Sequence, residues 1–201
     1  MAYEVTSEFL EHVKSLISLD NEREIKTLFK EIHYADVAEV LDELNFEEAI
    51  YIIKLLDSEK TSEILTELDE DIREKILENL SAKEIAEEVE EMDSDDAADI
   101  IGELPEERQN RVISQIEDDE LAADIKELLS YEDNSAGALM AKELVKVYET
   151  WTVAGCMRKI RGQAKEVTRV HSIYVVDKEE KLVGRLSLKD LIIAKSFLIP
   201  Q

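Results

Sequence analysis

Little in this chain could carry covalent or redox chemistry. Cys156 is the only cysteine in 201 residues, so no disulfide frames the fold and a reducing compartment fits. Cys156 itself reads as a small buried residue. The three histidines, His12, His33 and His171, are scattered without metal-ligand spacing, and His33 reads as part of a helix start. Glycine-rich phosphate loops, a nucleophile elbow and a cysteine–histidine pair are all missing, so the chain is not expected to be an enzyme. No run of about 18 apolar residues occurs and no hydrophobic segment opens the chain, so as given it reads as soluble, without a secretory signal or a membrane span.

Positive charge is scarce as well. Lys and Arg number 24 against 49 Asp and Glu, a formal net charge of −25. The imbalance is localised: residues 131–201 hold 9 acidic and 12 basic side chains, which leaves 40 acidic and 12 basic for residues 1–130. A polyanion of this kind disfavours nucleic acid as a partner, because phosphate backbones require the opposite sign. Cations and basic surfaces are favoured instead.

What the chain does have is a twelve-residue period. Apolar residues fall in phase at Ile32, Leu44, Leu56, Leu68, Leu80, Met92, Leu104, Ile116 and Leu128. A second series precedes them by three residues: Leu41, Ile53, Leu65, Leu77, Val89, Ile101, Ile113 and Ile125. Positions 5, 8, 9 and 12 of a unit lie on one stripe of an α-helix. Asn45, Asp57, Asp69, Ser81 and Asp93 open their units as helix caps, and Asn45…Glu48 and Ser81…Glu84 read as capping boxes. Helices this short cannot stand alone in water, so they must stack. The expected fold is mostly α, with an N-terminal right-handed α-solenoid, a superhelix of short helices, over residues 1–130.

Near Tyr131 the character changes. Four of the five glycines lie beyond it, and β-rich runs appear at 144–148, 173–176 and 182–186. A helix is predicted from Thr152 to about Arg161 and another from near Ser187. The order strand, helix, strand, strand, helix predicts a small α/β module over residues 131–201, joined through the segment 130–142.

These residues resemble a known family. The stretches Leu129–Met140, Ile173–Asp177 and Leu182–Leu191 are similar to a CBS domain, specifically the first CBS domain of the MgtE family of magnesium transporters. Ile32–Leu44 and Met92–Glu107 are similar to that family's cytosolic N-terminal domain. The resemblance follows the family's domain order along nearly the whole chain. It implies a cytosolic Mg²⁺-sensing regulatory region at the cytoplasmic face of the membrane, gating the transmembrane pore of the parent protein. Mg²⁺ bound between N domain and CBS region would hold a compact, closed arrangement. Carried over residue by residue, the resemblance gives Glu63, Asp95 and Asp99 as N-domain ligand positions for Mg²⁺.

From the residues alone, Asp95 and Asp99 share a helix face, and Glu63 and Asp99 both occupy position 7, on the solvent side. Such a set suits a hard cation that keeps most of its waters. The competing structural reading is that Asp93, Asp95 and Asp96 offset the helix dipole in the first turn. Asp99 lies outside that reading, since a like charge four residues away is unfavourable in mid-helix.

The CBS resemblance adds an adenine nucleotide as a second candidate ligand, with Ser187 and Asp190 facing its ribose. Ser187…Asp190 equally forms a capping box, and His171-Ser172 stands where the family commonly shows a Tyr pair. CBS motifs ordinarily pair, so a second CBS domain, or a second copy of the chain in a homodimer, is the expected partner, with the apolar end 197–199 bare. The alternative reading is an α-solenoid protein-interaction scaffold with a CBS dimerisation or adenine-nucleotide-sensing module.

Overall fold

The computed structural model describes residues 5–132, 134–163 and 172–194. His171 and the apolar end at 197–199, both singled out above, lie outside the described residues. The chain divides between Leu139 and Met140 into two compact units.

The first unit is a stack of short helices: α1 (Ser7–Ser18), α2 (Glu22–Lys30), α3 (Tyr34–Asp42), α4 (Phe46–Ile53), α5 (Ser58–Glu67), α6 (Glu70–Asn79), α7 (Ala82–Val89), α8 (Ser94–Gly102), α9 (Glu106–Ile113) and α10 (Asp119–Leu128). From α3 onward each helix occupies one sequence unit and ends at a turn. At several unit starts polar side chains set the boundary by accepting the first free backbone N–H groups, whereas Asp69, expected to cap α6, makes no such bond and α9 starts after Pro105. Asn45 and Ser81 form complete capping boxes with Glu48 and Glu84. Asp57 accepts from the Lys60 N–H, and His33 caps α3 through Nδ1 and the Ala35 N–H.

The helices pack on alternate partners. α3 lies against α5, α5 against α7 and α7 against α9, while α4 packs on α6 and α8 on α10. Each twelve-residue unit is thus half of a two-helix structural repeat. Positions 5, 8, 9 and 12 supply most of the core: position 9 contributes Leu41, Ile53, Leu65, Leu77, Val89, Ile101, Ile113 and Ile125, each buried. Position 8 contributes Val40, Ile52, Ile64, Ile76, Ile100 and Val112, none more than 3% exposed. In the unit beginning at Ser81 that position is Glu88, and in the one beginning at Glu117 it is Asp124.

Side chains from distant units close the helix ends that the local sequence leaves open. The Lys60 ammonium donates to the Ile32 carbonyl, and the Arg108 guanidinium to the carbonyls of Leu77 and Leu80. The Glu90 carboxylate accepts the backbone N–H groups of Glu117 and Asp118 at the entry to α10. Each of these bonds joins residues some two units apart and so ties the stack lengthwise.

The second unit is a small α/β module built from β1 (Val145–Tyr148), α11 (Val153–Gln163), β2 (Ile173–Val176), β3 (Leu182–Leu186) and α12 (Leu188–Ile193). The sheet order is β1-β2-β3, with β1 and β2 parallel and β2 and β3 antiparallel. Parallel pairing requires a crossover, which α11 supplies. Val145, Val147, Val153, Cys156, Ile160, Ile173, Val175 and Leu191 form one buried cluster. Burial raises the proton affinity of the Cys156 thiol, as suits an inert packing residue. Among the described residues no helix is long and apolar enough to cross a membrane.

Candidate functional site

Asp95 and Asp99 enter the structure on α8, whose inner face is Ala97, Ala98, Ile100 and Ile101, all buried. Burying that face directs the Asp95 and Asp99 side outward, and Asp99 is exposed. The spacing of four continues to Glu103, the residue that ends α8, so three carboxylates run down one ridge. Partial burial comes first, and the charges of Asp95 and Glu103 next, in raising the Asp99 carboxyl above the usual carboxylate range. The Arg73 guanidinium acts in the opposite direction.

Arg73, from α6, is already engaged. Its Nε lies 3.0 Å from both carboxylate oxygens of Glu103, and its terminal nitrogens reach Glu103 Oε1 and, at 3.3 and 3.0 Å, the carbonyls of Leu65 and Leu68. The pair is mostly enclosed, with side chains 17% and 25% exposed, and the bond to Glu103 raises the Arg73 pKa further. Glu103 is thereby neutralised and Asp95 and Asp99 are not: no ion pair reaches either carboxylate among the described residues. Two adjacent carboxylates without a partner cation can accept a divalent ion that keeps several waters.

Glu63 sits elsewhere. It is exposed on α5, where the Thr61 and Ser62 hydroxyls beside it turn inward to the carbonyls of Asp57 and Glu59. Its surroundings are a concavity of about 500 Å³ that also presents Lys26, Lys30 and Lys60. The acidic groups acting on Asp99 are Asp95 and Glu103, without Glu63, and no cluster of three or more metal-ligating side chains is assembled among the described residues. The structure therefore brings together Asp95 and Asp99 and does not bring Glu63 to them. Sequence reasoning missed Glu103 and Arg73. A further step of four from Asp99 would have found Glu103, and Arg73 stands at position 5 of its unit, where the stripe calls for an apolar residue.

In the second unit, Ser187 caps α12 and Asp190 completes the box. The Ser187 hydroxyl lies 2.6 Å from Asp190 Oδ2, which also accepts the Ser187 N–H at 3.2 Å, while the Asp190 N–H donates to Ser187 Oγ at 3.0 Å. The hydroxyl first, and the backbone N–H next, hold the Asp190 carboxyl below its ordinary range. Both residues are exposed, and Oδ2 carries the cap. In the same unit a concavity of about 610 Å³ is lined by Trp151, Arg158 and Lys159 with Thr150, Thr152 and Gly155, an aromatic face beside two cations.

Comparison with known proteins agrees with this division. Residues 32–134 match the MgtE intracellular N domain and residues 136–196 match the CBS domain. A stretch of 66 residues is 44% identical to the magnesium transporter MgtE of Enterococcus faecalis, and one of 67 residues is 45% identical to MgtE of Thermus thermophilus. Each stretch spans 33% of this chain and 15% of the relative. A crystal structure of the cytosolic domain of the Mg²⁺ channel MgtE in complex with ATP superposes with a TM-score of 0.85 at 30% identity, over 94% of this chain and 77% of that one. Since the N-domain match covers half of its residues, the chain belongs to the MgtE intracellular N domain family and carries a CBS domain after it.

Proposed function

We propose that this chain is the cytosolic Mg²⁺-sensing region of a magnesium transporter, and that its carboxylates convert Mg²⁺ occupancy into a domain arrangement that gates a membrane pore. The observation that carries the reading is the Asp95–Asp99 pair, two like charges on one ridge without a cation of their own while the neighbouring Glu103 has Arg73. Two unit charges about 4 Å apart repel by roughly 4 kcal/mol at an effective dielectric near 20, so a divalent ion beside them is favoured. With only two protein oxygens the site is weak and keeps most waters on the metal, which suits a gauge of free Mg²⁺ better than a structural centre. Additional ligands, Glu63's partners included, would come from a second CBS domain or a second copy of the chain. A ligand at about a hundred times its dissociation constant shifts such an equilibrium by roughly 2.7 kcal/mol.

The test is small-angle scattering of a form extended through a second CBS domain, titrated with Mg²⁺. Compaction that Asp95→Asn plus Asp99→Asn abolishes is the expected result. Scattering that ignores millimolar Mg²⁺ would overturn the proposal.

A nucleotide-sensing role is the second reading, favoured by the ATP bound to the similar cytosolic domain. In this chain Ser187 and Asp190 keep the hydroxyl and carboxylate such a role needs, although Asp190 Oδ2 is engaged in the helix cap. Calorimetry with ATP and AMP decides it, and silence for both would end it.

A further inference from the structure

Glu88 interrupts an apolar column in the middle of the stack. Position 8 of the surrounding units is Val40, Ile52, Ile64, Ile76, Ile100 or Val112, each buried in the seam between helices. Glu88 occupies that place on α7, where α7 packs on α5 and on α9. Its Oε2 is fully enclosed and has no hydrogen-bond partner. The residue as a whole is partly buried, so a carboxylate anion there has no solvent about Oε2 and no counter-charge, whereas a carboxylic acid carries no charge to stabilise.

The charges around it deepen the asymmetry. Asp57, the cap of α5, faces Glu88 from the neighbouring helix, and Glu84, Glu87 and Glu91 act on it from its own segment. Cations that could relieve it are turned elsewhere. Lys83 pairs with Glu87 at 2.9 Å, Arg111 on α9 pairs with Glu107, and Arg108 is held by the Leu77 and Leu80 carbonyls. Lys54 acts on Glu84.

We propose that Glu88 is a proton-binding site built into the helical stack: it is packed as the neutral acid, and its ionisation introduces a charge into the seam of α7 with α5 and α9 and weakens the stack there. The burial and acidic surroundings raise its pKa from 4.5 to about 8, which places the transition near neutrality. The sign follows from linkage. The folded state holds the proton more tightly than the unfolded one, so the stabilisation is complete below the unfolded value of 4.5 and is lost as pH rises through about 8. The helix that follows α7 carries Asp95 and Asp99, so the proton acts one turn of chain away from the candidate cation ridge.

The experiment is an NMR titration of side-chain carboxyl carbons in the ¹³C-labelled chain, together with thermal unfolding across the same pH range for wild type, Glu88→Gln and Glu88→Ile. The expected result is a Glu88 midpoint near 8 and an unfolding temperature that falls with pH more steeply in wild type than in either variant. Glu88→Ile, which restores the residue type of its column, melts highest at alkaline pH. A midpoint near the ordinary 4.5, or a Glu88→Gln profile parallel to wild type, would overturn the proposal. Should the variants fail to fold, the wild-type titration decides alone.

Discussion

Replacing Arg73 by Met separates the mechanical from the electrostatic role of the ridge. The guanidinium holds Glu103 through two nitrogens and the Leu65 and Leu68 carbonyls through a third, with both charged side chains largely enclosed. Hydrogen bonds to a charged group contribute roughly 1.5–3 kcal/mol, and the substitution strands a half-enclosed carboxylate and two helix-end carbonyls. Solvent reaches part of the pair and reduces the loss. The expected cost is about 2–3 kcal/mol, or roughly 6–12 °C in melting temperature for a unit of this size. Mg²⁺ affinity should move the other way. Arg73 is the cation acting on Asp99, and its removal favours a metal beside Asp99 by about 0.5–1 kcal/mol, roughly two- to fivefold. Thermal unfolding reads the first effect, and Mg²⁺ titration followed at the α8 amide resonances reads the second. Arg73→Lys serves as control: it keeps the charge but not the fork, so stability should fall while affinity stays near wild type. A merely structural arginine would lower stability and affinity together in Arg73→Met, and that outcome would refute the reasoning.

Three further outcomes follow from the same geometry. Asp99→Asn should raise thermal stability at neutral pH while weakening Mg²⁺ binding, since a carboxyl whose folded pKa is raised destabilises the fold once pH exceeds that value; paired melting and Mg²⁺ titration would show it. Gly137→Ala puts a Cβ 2.6 Å from the Tyr131 ring, whose hydroxyl is bonded to Glu127 Oε1 at 2.8 Å, so the ring must move at a cost of about 1–3 kcal/mol; faster proteolysis around 130–142 is the readout. Chelator should leave this chain folded, its melting temperature lowered only by the mass-action contribution of the Mg²⁺ removed, because its helices are held by apolar seams and backbone caps and the acidic ridge lies outside them; thermal unfolding with and without chelator checks it.

The helical period was legible because one apolar stripe per unit is repeated without insertion, and the caps because Asn or Ser with Glu three residues later satisfies two backbone donors at once. Alternate packing was not. A period of one helix says that neighbours stack, but cannot say whether helix α5 meets α4 or α3. The strands at 173–176 and 182–186 appeared where their β-rich runs placed them. On the ridge, the spacing of Asp95 and Asp99 carried its own geometry, since residues four apart share a face of any helix. Glu63 was linked to them by resemblance and by sharing position 7 with Asp99, and the structure sets it among Lys26, Lys30 and Lys60. Glu88 was available to sequence reasoning as one of two units, with that of Asp124, whose eighth residue is not apolar, a departure that only becomes chemistry once its neighbours are known.

The placement of the few cations explains how a polyanionic stack stays folded and yet keeps its acid surface reactive. Lys60 and Arg108 both stand at position 4 of their units, and both reach back 28 residues to a helix-end carbonyl, those of Ile32 and Leu80. Arg73 does the same for Leu65 and Leu68. Helix C-termini carry partial negative charge and unpaired carbonyls, so a cation there relieves both. Of these three cations only Arg73 also reaches a carboxylate of the ridge, that of Glu103. An even spread of Lys beside every Asp and Glu would have produced many weak surface pairs and no field. Three cations at the carbonyl ends tie the helices together, and with Lys75, Lys83 and Arg111 paired to Glu78, Glu87 and Glu107 Asp95 and Asp99 are left without an ion pair among the described residues, which is the electrostatic condition a reversible divalent-cation site requires.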